Sequence, residues 1–111
     1  MMDETTISYG WREKGNSSYR NFSESNSAER KKNYLESALR SYYRAYSTAD
    51  SDEDKSSAAK NHAVAEWRLA TVLIELHEST SLCEFRYREA VSYFSKVRRV
   101  CKMYTLMLIL Y

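Results

Sequence analysis

The residues of this chain that could do chemistry are two histidines, two cysteines and a set of arginines that recur beside aromatic residues. His62 and His77 are 15 residues apart, away from the i, i+4 spacing by which one helix face presents two imidazoles to a metal. A zinc site from His77, Cys83 and acidic neighbours would have loose spacing and no CxxC element. His62 therefore reads as a helix-face residue and His77 as a helix C-terminal residue favoured by the dipole. No G-x-S-x-G, phosphate loop or Cys-His arrangement occurs in a recognisable context. The expectation is a non-enzyme with no metal and no cofactor. Cys83 and Cys101 lie 18 residues apart, about 27 Å along one helix, too far to bridge. Reduced thiols in a cytoplasmic or nuclear protein follow. Lys96, Arg98, Arg99 and Lys102 could touch phosphates, but the run is short and flanked by apolar residues. A small basic helical nucleic-acid binder is thus the alternative reading.

Positioning these side chains requires a scaffold, and composition narrows it. The chain has 111 residues, 43% hydrophobic and 29% charged, with two glycines, no proline and a net charge of +2. Without the residues that make tight turns, a β-sandwich is excluded and one all-α domain remains. The acidic start, Met1 to Thr6, has no apolar h-region, and the nine apolar-rich residues Met103–Tyr111 are too few to span a bilayer. Periodicity predicts four helices. The first runs from about Asp3 to Phe22. The second opens on an Asn26–Glu29 capping box and carries Leu35, Ala38, Leu39, Tyr42, Ala45, Tyr46 and Ala49 on one stripe. The third follows the acidic break at 48–54 and reaches about Leu76, with one stripe through Leu69 and Leu73 and another through Ala63, Trp67, Ala70 and Ile74. Two stripes predict a helix sandwiched between neighbours. The fourth opens near Ser81 and Glu84 and carries Tyr87, Ala90, Val91, Phe94, Val97 and Cys101 toward the C-terminus with no stop signal.

The second and fourth helices repeat a pattern. Ala38-x3-Tyr42 and Ala90-x3-Phe94 stand in the same apolar-x-x-Ala-apolar-x-x-aromatic frame, 52 residues apart. A small residue lets helices approach while the aromatic one turn later fills the groove. Together with Trp11 and Gly15 in the first helix and Leu69-Ala70-x2-Leu73 in the third, this resembles the tetratricopeptide repeat, W-x2-L-G-x2-Y then A-x3-F. The resemblance covers about Tyr9 to Lys102 as two expanded units, about 5–50 and 51–111. Lys14, Ser18 and Glu66 depart from the consensus, no closing proline occurs, and the spacing requires longer helices or inserted turns. The resemblance implies two antiparallel helical hairpins and a ligand groove along the first helix of each pair. It puts Tyr9, Arg12, Asn16, Tyr19 and Arg20 there in the first unit, and Val64, Trp67, Arg68, Thr71 and Glu75 in the second. Arg12 and Asn16 take the lysine and asparagine places of a carboxylate clamp, but Arg68 replaces the second asparagine, so an arginine and aromatic groove for an acidic or aromatic peptide is implied instead.

The core stripe of the last helix runs on through Cys101, Tyr104, Leu108 and Tyr111, while Met103, Leu106, Met107, Ile109 and Leu110 add apolar surface on other faces, and Cys101, Tyr104, Met107, Leu108 and Tyr111 are the residues expected to mediate self-association. Two repeats seldom close a solenoid. The chain is therefore expected to be a non-catalytic adaptor or scaffold that binds a protein or peptide and forms a homodimer, or part of a longer helical array, through its C-terminal helix.

Overall fold

A computed structural model describes residues 4–100, with side chains described from Ile7 to Val97. Four helices follow one another: α1 (Glu4–Glu24), α2 (Ala28–Thr48), α3 (Asp52–Glu75) and α4 (Thr80–Val100). The connections are short, so the long repeat spacing is taken up by helices of 21, 21, 24 and 21 residues, not by inserted turns. The all-α expectation holds: α1 pairs with α2, α3 with α4, and α3 lies against α2. Descending register, with Ser8 beside Ala45 and Ser18 beside Ser37, makes the first pair antiparallel. His62 beside Tyr93 and Glu66 beside Arg86 does the same for the second.

The helix starts correct two sequence expectations. The cap of α2 is Ser27, not Asn26: its backbone is extended (φ −98°, ψ 124°) and its Oγ accepts from the Arg30 N–H. The Ser25 hydroxyl accepts from the Ser27 N–H, which fixes the turn one residue later than the capping-box pattern implies. At α4, Ser79 Oγ accepts from the Leu82 N–H at 3.3 Å, so the helix begins ahead of Ser81. Ser51 caps α3, its side chain accepting from the Asp54 N–H, and Asp52, Glu53 and Asp54 oppose the positive end of the dipole. The other end of α3 closes without glycine. His77 takes the left-handed conformation (φ 58°), its N–H bonds Ile74 O at 3.0 Å, and the Glu78 N–H bonds Leu73 O at 2.9 Å. These are the two bonds of a Schellman closure, built on a residue whose Cβ disfavours it.

The α1–α2 seam is lined with small groups. Buried Ser8 donates to Ala45 O at 2.8 Å, the Ser18 and Ser37 hydroxyls meet at 3.1 Å, and the Tyr42 ring lies on Gly15. The Tyr42 hydroxyl then donates to Asn16 Oδ1 at 2.8 Å. The main core joins Leu35, Ala38, Leu39 and Tyr42 of α2 to Ala65, Leu69, Val72 and Leu73 of α3 and Cys83 of α4, with Tyr19 and Phe22 packed on its edge. A second cluster puts Ala59 and Ala63 against Tyr93 and Val97. Thus α3 is sandwiched as expected, but its second stripe is only half covered. Ala63 and Ala70 are buried, whereas Trp67 and Ile74 face solvent. Tyr87, expected on the core stripe of α4, is exposed as well.

A Cβ at Gly15 would sit within 3 Å of three Tyr42 ring atoms, while one at Gly10 meets nothing within 4 Å. Gly15→Ala is therefore expected to destabilise by about 2 kcal/mol through overpacking, and Gly10→Ala to stabilise by about 0.5–1 kcal/mol. Urea denaturation of the two single variants checks the contrast; equal effects of one sign would show that the seam tolerates a wider separation. His77→Gly is expected to raise stability by about 1 kcal/mol, read in the same titration, because only the left-handed cost is removed.

Candidate functional site

The residues implied for a groove lie on α1 and α3, and the fold uses them unequally. Arg12 is tied to Asp54 by an ion pair of 3.7 Å and lies over the Tyr9 ring at 5.3 Å. Asn16 accepts the Tyr42 hydroxyl and donates to Glu13 Oε1 at 3.5 Å. Tyr19 packs edge-on against Phe22 at 5.1 Å, on the margin of the core. On α1, Arg20 remains exposed. On α3, Trp67, Arg68, Thr71 and Glu75 are all exposed and Val64 is half-buried. The Arg68 guanidinium lies over the Trp67 ring at 4.5 Å, and Thr71 Oγ1 donates to Trp67 O at 3.2 Å. The Arg12–Asp54 ion pair joins the two halves at their N-terminal ends. Two surface hollows are formed elsewhere, at the α1–α2 turn (Asn21, Ser25, Arg30, Tyr34) and at the α3–α4 turn (Ile74, His77, Cys83, Tyr87). Cys101, Tyr104, Met107, Leu108 and Tyr111, expected to mediate self-association, lie outside the described residues.

The sequence reading missed a buried polar knot between α3 and α4. Glu66 is 2% exposed and takes both oxygens to Arg86 Nη1, at 3.1 and 3.3 Å. One turn earlier, buried His62 stacks on Tyr93 with ring centroids 3.7 Å apart, and Lys96 Nζ lies 3.9 Å from the centre of that same ring. Tyr46 of α2 meets Tyr93 edge-on at 6.0 Å, so the knot also links α2 to α4. His62 Nδ1 and Arg86 Nε are buried with no hydrogen-bond partner among the described residues. The available signal was register: His62 and Glu66 are i, i+4 and fall inside the Ala59, Ala63, Ala70 and Leu73 face. Their polarity hid what their positions required.

This environment moves the protons. Burial pushes the Glu66 carboxyl up to about 7, against the charge and hydrogen bond of Arg86. Burial, reinforced by Lys96 and Arg86, pushes His62 down to about 4. Burial also raises Tyr93 to about 12, with Glu89 adding to it. His62 is therefore neutral at pH 7 and Glu66 is near its midpoint. Among the described residues, no three His, Cys, Asp or Glu side chains are grouped to hold a metal ion, and no helix is long and apolar enough to cross a membrane.

No protein-family model matches the chain, and no curated protein or solved structure matches it.

The two shifts act on stability with opposite signs. The raised Glu66 favours the fold below its ordinary pKa of 4.5, and that advantage is lost as pH rises toward 7. The lowered His62 favours the fold above 6.5, and that advantage is lost as pH falls toward 4. Between 4.5 and 6.5 the slopes oppose each other, so the wild type is expected to show a flat profile there. His62→Gln should then lose about 1 kcal/mol per unit as pH rises from 5 to 6.5, and Glu66→Gln should lose a similar amount as pH falls over that range. Denaturant titrations at stepped pH check this; parallel profiles in the two variants would contradict it.

Proposed function

We propose that the chain is a non-catalytic protein-interaction module, a tetratricopeptide-like adaptor or scaffold of the cytoplasm or nucleus. It holds an acidic or aromatic peptide, or a partner helix, against α3, and it self-associates through its C-terminal helix. The observation that carries this reading is Trp67, 43% exposed in the middle of α3 with Arg68 stacked on its ring at 4.5 Å. A large aromatic left in water beside an exposed cation is a contact pair for carboxylates and rings. It shares the exposed part of α3 with Thr71 and Glu75, while Arg12, Asn16 and Tyr19 support this surface from α1 by holding the helices in place. The titratable knot lies inside the hairpin, where Glu66, Arg86, His62 and Tyr93 pack on one another, and this supports a structural role over catalysis.

The test uses a fluorescein-labelled, glutamate-rich amphipathic peptide, with binding read as anisotropy. Arg20→Glu with Arg68→Glu should weaken it at least tenfold, and Trp67→Ala by a similar factor, with unchanged circular dichroism. Unchanged affinity in both variants sinks the α3 surface. Tighter binding to generic duplex RNA or DNA, with a steep salt slope, would put the nucleic-acid reading in its place.

A further inference from the structure

The outer face of the second hairpin corresponds, position by position, to a face that is buried in the first. Shifted by the 52 residues that separate Ala38 from Ala90, Leu35, Leu39 and Tyr42 of α2 become Tyr87, Val91 and Phe94 of α4. The first three are 0, 6 and 3% exposed, within the core that α2 forms with α3, and Tyr42 has Gly15 of α1 against its ring as well. The second three are 37, 64 and 40% exposed. Beside them on α3 stands Ile74, also in solvent and lining the same hollow as Tyr87. Its counterpart, in the frame that aligns Ala70 with Gly15, is Tyr19, which packs on the core. The repeat has thus built the apolar surface that receives a helix, and in the second unit no described helix of this chain covers it.

We propose that a second copy of this chain covers it, α4 packing antiparallel against the partner's α4 about a two-fold axis near Val91. This rests on the self-association reading above and moves the contact from the residues beyond position 100 to the middle of α4. Three features point to this occupant. The first is orientation: α3 covers the face of α2 by running antiparallel to it, and a two-fold axis perpendicular to α4 gives that helix an antiparallel neighbour as well. The second is self-complementarity. Reflection about Val91 puts Tyr87 opposite position 95 of the other copy, one residue and about 1.5 Å along the axis from Phe94, so the two rings stand side by side at both ends of a Val91 to Val91 centre.

The third is charge. In the first unit the end of the face carries Lys32, paired with Glu78 at 3.8 Å. The corresponding position in the second unit is Glu84, so a base is needed opposite it. The same register brings position 84 opposite position 98, which is an arginine. Among the described residues Glu84 pairs with Arg88 alone, at 3.9 Å, and both side chains are mostly in water, so little holds it back from re-pairing. The four apolar side chains offer roughly 400 Å² per copy, the size of a monomer's largest patch and about half of what a standard interface takes from each partner. The dimer is therefore a micromolar one, not an obligate one.

Sedimentation of the full chain across 1–200 μM is expected to show a monomer–dimer equilibrium, which Val91→Glu weakens at least tenfold with unchanged circular dichroism. Glu84→Arg or Arg98→Glu should each weaken it, and the two together should restore it. With Cys101→Ser, Val91→Cys should give a disulfide-linked dimer on mild oxidation, and Tyr43→Cys on exposed α2 should not. A wild-type chain that stays monomeric throughout overturns both this proposal and the self-association reading. A dimer untouched by Val91→Glu and not trapped through Val91→Cys overturns this face alone and leaves self-association standing elsewhere.

Discussion

The rest of the molecule depends on how closely α1 can lie against α2. Gly15 removes the side chain that would meet the Tyr42 ring, and the ring then reaches past it to donate to Asn16. Ser8 and Ser18 keep the same seam narrow along its length while satisfying their hydroxyls on α2. A helix with a wide seam spends its large apolar residues on filling the gap. Here the narrow seam leaves Leu35 and Leu39 of α2 free to point the other way, into the cluster with Leu69, Val72 and Leu73. The second hairpin therefore has a surface to dock on because the first hairpin closes with small residues.

The second hairpin closes by a different route. Where the first has hydroxyls and a glycine, the α3–α4 seam has Glu66 on Arg86 and His62 on Tyr93. Such a knot adds little net stability, since the desolvation of Glu66 offsets most of its attraction to Arg86. Its physical effect is on register. Sliding α4 by one turn would leave a carboxylate and a guanidinium facing alanines, at a cost of several kcal/mol. An alanine-rich seam such as Ala59, Ala63 and Ala70 packs nearly as well in several registers, so a device that selects one of them is what that seam lacks. Tyr93 carries the selection outward, because its ring contacts His62, Lys96 and Tyr46 of α2 together.

The four helices and their pairing were legible in the sequence because proline is absent and the breaks are clusters of Ser, Asn, Asp and Thr. The cap residues were less so: Asn26, Ser27 and Ser25 are all competent acceptors, and only the backbone turn decides among them. Of the groove residues, types alone could not separate Arg12, which neutralises Asp54 across a helix pair, from Arg68, which lies on its neighbouring tryptophan. Glu66 was read as a departure from a repeat pattern, because a lone glutamate on an apolar face gives no hint of a partner 20 residues away. The exposed state of Tyr87, Val91 and Phe94 was hidden for the opposite reason: periodicity reports that a face is apolar, not whether anything lies on it.

The two interaction surfaces proposed for this chain stand on different flanks of the same hairpin. The arginine and aromatic surface follows α3 through the exposed Arg68, Thr71 and Glu75, on a helix whose first turn is tied to α1 by the Arg12–Asp54 ion pair. The apolar face follows α4 through Tyr87, Val91 and Phe94. Trp67 stands between them, held by Arg68 on the polar side. A helix docked on Val91 leaves the Arg68 side open to water, so a peptide on α3 and a second copy on α4 need not exclude each other. The buried knot gives the pair of surfaces a common rigid base: Glu66 and His62 anchor α3, Arg86 and Tyr93 anchor α4, and the helices cannot slide past each other to close one surface when the other is filled. Binding at the two proposed surfaces would therefore be close to independent, and a dimer would present two copies of the α3 surface in one particle, raising its hold on a divalent partner by effective concentration alone.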